Sequence, residues 1–186
     1  RATAVHARGQ RHPFDMVASN ADVVHTYRNL LRDPKGDKLA RKRHSMSLFV
    51  IYFGLRGLRP ELRHHMVLFG PRYRELIGEI FGGKQLADDF SLYLHAPSVT
   101  DPGLAPEGCS AYYVLAPVPH LGTVDMDWDK AAEAYRDRIL DYLEERYIPN
   151  LRRDLVTVRH FTPQDFKTEL NAHLGSAFSI EPILTQ

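Results

Sequence analysis

From Met46 to Leu55 the chain reads Met-Ser-Leu-Phe-Val-Ile-Tyr-Phe-Gly-Leu, apolar, β-branched and aromatic at both odd and even positions. A strand has two faces, and apolar residues on both predict a central strand covered from both sides. The rest of the chain must therefore supply covering layers. Further strands are predicted at Phe14 to Ala18, His65 to Phe69, Phe90 to Ala96, Ala111 to Ala116 and Val156 to Phe161. Helices are predicted between them. One opens at Ser19-Asn20-Ala21-Asp22, close to a capping box, and runs to about Leu31. Another runs from Pro71, as first helical residue, to Phe81 before Gly82-Gly83, and Lys38 to His44 reads as a basic connector. The strongest runs from Asp127 to Tyr147, where Ala131, Ala132, Tyr135, Ile139, Tyr142 and Leu143 recur near the 3.6 period. A last one starts at Thr162-Pro163 and fades at Gly175. The irregular order of these elements predicts an α+β fold, a mixed sheet with flanking helices, rather than regular βαβ winding.

At 186 residues the chain can bury a core without a disulfide or metal staple. Its single cysteine, Cys109, allows no intrachain disulfide and fits a reducing, cytoplasmic setting. The net charge of +1 hides a gradient: 15 Lys/Arg against 5 Asp/Glu up to Arg74, then 9 against 18. The basic part, with Arg41-Lys42-Arg43, Arg56, Arg59, Arg63, Arg72 and Arg74 interleaved with Leu55, Leu58, Leu62 and Phe69, could face solvent, an acidic partner or an anionic membrane surface. Nucleic acid is not expected, because no binding motif or stacking ladder accompanies the charge. No apolar run approaches the roughly 20 residues of a spanning helix, so any membrane contact is peripheral. The chain starts without Met or a signal pattern and stops in mid-pattern, which predicts an internal piece of a longer protein.

Most catalytic patterns are missing. There is no G-x-S-x-G, H-E-x-x-H, G-x-G-x-x-G or P-loop, and Cys109 has no cationic neighbour in sequence. Ten histidines invite a metal reading, but no ligand spacing stands out, and adjacent His64 and His65 should point to opposite faces of a strand. No metal site is expected. The junction Ser19-Asn20-Ala21 is more specific: a strand leading into a helix N-terminus offers free N–H groups to a phosphate or a cofactor edge, although a plain cap explains it too.

Longer strings carry more information. Ala18 to Tyr27 (Ala-Ser-Asn-Ala-Asp-Val-Val-His-Thr-Tyr), Ser47 to Leu55, Phe69 to Ile77, Asp89 to Pro97, Leu104 to Cys109, Tyr112 to Gly122 and Gly175 to Gln186 resemble the bacterial-type phytoene desaturases, also called phytoene dehydrogenases. The resemblance implies part of an FAD-dependent carotenoid desaturase with an amine-oxidase-like flavoprotein fold. Residues 1–22 would be an edge of the FAD-binding domain, 23–170 the substrate-binding domain, and 171–186 the return towards FAD. Ser19, Asn20 and Ala21 match the strand-to-helix junction beside the cofactor. The substrates implied are phytoene and partly desaturated carotenes, with oxygen or a membrane quinone as electron acceptor. Phytoene has no polar handle, so its site must be apolar and aromatic. Phe49, Tyr52, Phe53, Tyr93, Tyr112, Tyr113 and Phe178 are the expected lining, each with core packing as the competing explanation. No catalytic acid or base is assigned; His173 and Glu181 lie near the segment expected to face the flavin. Two other readings stay open: a non-catalytic isoprenoid- or membrane-binding module, and a related flavin desaturase or isomerase acting on another polyene.

Overall fold

The computed structural model describes residues 2–83, 86–87 and 89–184. The termini Arg1, Thr185 and Gln186, which the expected domain bounds and the last family-like string include, lie outside the described residues. The architecture is α+β. Strand β1 (Ala4–Ala7) and β2 (Gln10–Pro13) form an antiparallel hairpin, followed by α1 (Val23–His25), a π-helical turn over Thr26–Leu30 and α2 (Lys35–Ala40). Then come β3 (Ser47–Arg56), β4 (His65–Leu68), α3 (Tyr73–Gly82), β5 (Leu92–His95) and β6 (Cys109–Val118). The chain ends through α4 (Trp128–Arg146), α5 (Leu151–Asp154), β7 (Leu155–Phe161) and α6 (Pro163–Glu169).

Five strands make the main sheet in the order β4-β5-β6-β3-β7. The expected α+β class holds, and the sheet turns out antiparallel at every pairing rather than mixed in direction. Strand β3 is hydrogen-bonded on both edges, to β6 from Ser47↔Val118 through Arg56↔Cys109 and to β7 from Val50↔Phe161. Its odd positions Phe49, Ile51, Phe53 and Leu55 join Leu94, Val114 and the α4 residues Trp128, Tyr135, Ile139 and Leu143 in the hydrophobic core. Phe49 sits stacked on Trp128 at 5.5 Å and edge-on to Tyr135 at 5.1 Å, so the long amphipathic helix covers this face as its periodicity predicts.

The other face is covered only in part. Leu48 and Val50 are buried there, where α6 meets β3 and Phe166 packs edge-on to Phe161 at 5.0 Å. Cover stops at Tyr52, which is 48% exposed. Two-sided burial, expected through Leu55, thus holds over Ser47–Ile51.

Several local expectations are corrected. Phe14 to Ala18 is not a strand; Phe14 and Met16 are exposed, and the preceding residues pair instead around Arg8-Gly9, both at positive φ, as a two-residue hairpin turn requires. The first helix starts at Val23 and not at Ser19, and the expected basic connector Lys38 to His44 begins inside helix α2. Helix α3 begins at Tyr73, two residues after Pro71. Helix α6 stops at Glu169, because Asn171 and Leu174 take left-handed conformations (φ 56° and 58°) that no helix continues through. Its start is as expected: Thr162 and Asp165 form a reciprocal capping box, with Pro163 in the first turn.

Candidate functional site

The junction at Ser19-Asn20-Ala21 meets two distant segments. Ser45 donates its N–H to the Ser179 carbonyl at 2.8 Å, and its hydroxyl lies 2.8 Å from Ser176 Oγ. Ser47 donates to the Gly175 carbonyl, and His44 forms a β-bridge with Ile180. Ser179 Oγ then donates to Asp22 Oδ2 at 3.2 Å. These serines stitch the chain before helix α1, the entry to β3 and the 172–181 segment into one junction. A cleft of about 650 Å³ opens there, lined by Asn20, Ala21, Phe166, Leu170, Phe178 and Ser179. Two cofactor candidates and one substrate candidate therefore share a cavity; Ser19 is exposed, with its hydroxyl 3.1 Å from Thr26 Oγ1.

The chemistry of this junction differs from the sequence reading in one respect. Asp22 is the helix cap, and its Oδ1 accepts the His25 N–H at 2.9 Å. Its carboxylate satisfies one N–H group of the helix's first turn.

The seven aromatic candidates separate by strand parity. Phe49 is fully buried under α4, and Phe53 stacks on Tyr112 at 5.1 Å within the core. The Tyr112 hydroxyl donates to Ser110 Oγ at 2.8 Å, and burial pushes its pKa up. Tyr52, Tyr113 and Tyr93 lie on the opposite face, with ring centroids 6.0 Å apart between Tyr52 and Tyr113 and again between Tyr113 and Tyr93. Phe178 is 58% exposed at the junction cleft. The open-face tyrosines thus form a stripe across β3, β6 and β5, while Phe49 is core.

A second cleft, about 350 Å³ and predominantly apolar, adjoins that stripe. Its walls are Tyr52, Gly54, Leu104, Pro106, Ala111 and Val156, with Phe53 and Tyr112 also reaching it. In the sequence the Leu104–Pro106 loop stands out only as part of a family-like string. Its position over the sheet follows from the β6 register, which nothing local specifies.

At the far end of the stripe the structure overturns the argument about adjacent histidines. His65 is the first residue of β4 and pairs directly with His95 of β5; His64 precedes the strand, so pleat alternation does not govern it. His64 Nε2 lies 2.8 Å from His95 Nε2, and one ring nitrogen from each of His64, His65 and His95 falls within 4.8 Å of the others. The two remaining candidates sit back at the junction. Glu181 is buried and ion-paired to Arg43, and the His173 ring packs against His44 at 4.8 Å, so both have structural partners.

Curated relatives match this chain along nearly its whole length. "Phytoene desaturase (lycopene-forming)" of Pseudescherichia vulneris is 63% identical over 97% of the chain, and its counterpart in Pantoea ananas is 61% identical over 98%. The neurosporene-forming phytoene desaturase of Rhodobacter capsulatus is 43% identical over 96%. By sequence, the chain is similar to phytoene desaturases along nearly its whole length. It spans 38% of the length of the two lycopene-forming relatives and 36% of the third. No protein-family model matches. Among solved structures, an oxidoreductase from Methanosarcina mazei covers 87% of this chain and 34% of its own at 16% identity and a TM-score of 0.45, a likeness too loose to carry an argument.

Proposed function

We propose that this chain is the substrate-binding part of an FAD-dependent desaturase that takes phytoene towards lycopene. The carrying observation is the identity of 63% and 61% with lycopene-forming phytoene desaturases, against 43% with a neurosporene-forming one. The open sheet face supports it. A polyene offers only hydrocarbon to a binding site, and Tyr52, Tyr113, Tyr93 and the apolar Leu104–Pro106 cleft provide aromatic and aliphatic wall that excludes water without demanding a polar handle.

In this reading residues 23–170 hold the substrate, while 1–22 and 171–186 turn towards the flavin. The junction cleft fits an edge of FAD: Asn20, Ala21 and Ser179 line a space of about 650 Å³, and Asp22 disfavours the pyrophosphate there but not the ring or ribityl portion. When bound, FAD supplies the acceptor for the hydride removed from phytoene. This chain's share of the work is to hold the hydrocarbon flat along the tyrosine stripe, with its reacting carbons towards the junction. Oxygen or a membrane quinone would then reoxidise the flavin, and a peripheral membrane position would give access to both quinone and carotene. Among the described residues no helix is long and apolar enough to cross a membrane.

The test is product analysis of the full-length protein in a phytoene-accumulating host. Lycopene is the expected pigment; unconverted phytoene in the presence of folded, flavin-loaded protein would overturn the proposal. Tyr52→Ala and Tyr113→Ala are expected to cut conversion several-fold with little change in thermal stability. Phe49→Ala, which empties the core under α4, should instead cost about 3–5 kcal/mol of stability.

A further inference from the structure

We infer that His64, His65 and His95 form a binding site for a divalent transition-metal ion of the zinc class, at the edge of the main sheet. The antiparallel register sets His65 directly opposite His95, and His64 comes in from the segment before β4. One ring nitrogen from each lies within 4.8 Å of the others, and the closest pair is the two Nε2 atoms of His64 and His95 at 2.8 Å. Ligand atoms about 2.0–2.1 Å from a tetrahedral zinc are about 3.3 Å from one another. The cluster reaches that spacing by small imidazole rotations, the close pair opening and the distant one closing.

The surroundings are those of ligating histidines. His64 Nδ1 is hydrogen-bonded to Thr100 Oγ1 at 2.6 Å, which fixes the ring with Nε2 towards the cluster. His65 Nδ1 is held by the Tyr93 hydroxyl at 2.5 Å, leaving its Nε2 available. Such outer hydrogen bonds select the tautomer and orient a metal ligand. Two imidazole nitrogens in contact share at most one proton, and His95 Nδ1 is buried with no hydrogen-bond partner among the described residues. A cation held by the two Nε2 atoms would replace that shared proton, while His95 Nδ1 lies on the other side of its ring.

Three imidazoles without thiolate or carboxylate suit zinc, copper or nickel and not magnesium or calcium. Water completes the shell. The role we assign is structural. Among the described residues strand β4 is an edge strand hydrogen-bonded only to β5, and a metal across His64, His65 and His95 would clamp that edge and the loop that leaves His95 towards Thr100. This inference is independent of the desaturase reading, since it is measured by binding and not by turnover.

The experiment uses tag-free full-length protein stripped with a chelator, titrated with zinc ion by calorimetry and followed by thermal unfolding. Saturable binding of one zinc per chain is expected, with a higher unfolding temperature and, for cobalt in its place, the intense visible bands of a four-coordinate site. His64→Ala and His95→Ala, shown by circular dichroism to be folded, should each abolish the effect. Thr100→Val should keep the site and weaken it about tenfold. His12→Ala, in the exposed hairpin, should change nothing. Folded wild-type protein without one-to-one saturable binding overturns the inference, as does zinc affinity that survives in the His64→Ala/His95→Ala double variant.

Discussion

Phe49 and Tyr52 are strand aromatics three positions apart, and the pleat sends them to opposite faces, one under α4 and one to the open side. Composition treats them alike; parity within β3 separates them. Gly175 shows a different kind of residue-level constraint. Its φ of +65° lies in the left-handed region, and a Cβ there would fall 2.3 Å from the Pro163 carbonyl oxygen. Its own carbonyl accepts the Ser47 hydroxyl, so the backbone cannot shift away freely. Gly175→Ala is therefore expected to destabilise the protein by about 1–3 kcal/mol, read as a lower urea midpoint with an unchanged slope. A neutral outcome would show that the junction relaxes without cost. Neither the strain nor the contact is visible in the string Leu-Gly-Ser, because both partners come from other parts of the chain.

At the scale of elements, helix α4 and the start of α6 were legible because their signals are local: a 3.6-residue apolar period in one and a Thr N-cap followed by Pro in the other. The hairpin β1–β2 was missed because Arg8 takes a left-handed conformation usually given to Asn or Gly. The junction of the α1 approach, β3 entry and 172–181 segment is also the place where pH should act. Burial, followed by the neighbouring His44, lowers the pKa of both His120 and His173; Glu181 opposes this at His120 and Asp22 at His173, while Arg28 adds to it at His173. The unfolded chain carries these histidines near pKa 6.5 and so binds protons first as pH falls. Stability is thus full above about pH 6.5 and is lost as pH falls from there towards the lowered folded values. Urea midpoints at about pH 7.5, 6.5 and 5.5 should decline, and His120→Gln should flatten the decline; parallel curves for the two proteins would remove His120 from the effect.

For the whole molecule, the split between a basic N-terminal part and an acidic remainder becomes less of a contrast after folding. Arg59 pairs with Asp154 at 2.6 Å, Arg72 with Asp89 at 2.6 Å, and Arg43 with Glu181, each joining the two parts of the chain. Part of the expected basic face is thus engaged internally. Arg41 and Lys42 remain exposed. Full-length protein carrying Arg41→Glu and Lys42→Glu should bind vesicles containing anionic lipid at least about tenfold more weakly, in a salt-dependent way. Unchanged partition with an intact fold would remove this patch from any membrane role. The sequence by itself determined the α+β class, the central position of β3, the long amphipathic helix and the likeness to phytoene desaturases, because each is written in local period or in long family-like strings. Tertiary structure decided which aromatics face the open side, how the serines of three segments meet at one cleft, and that His64, His65 and His95 come together. Those outcomes depend on strand register and on which edges pair, and register is set by the packing of the whole sheet against α4, a property no window of sequence contains.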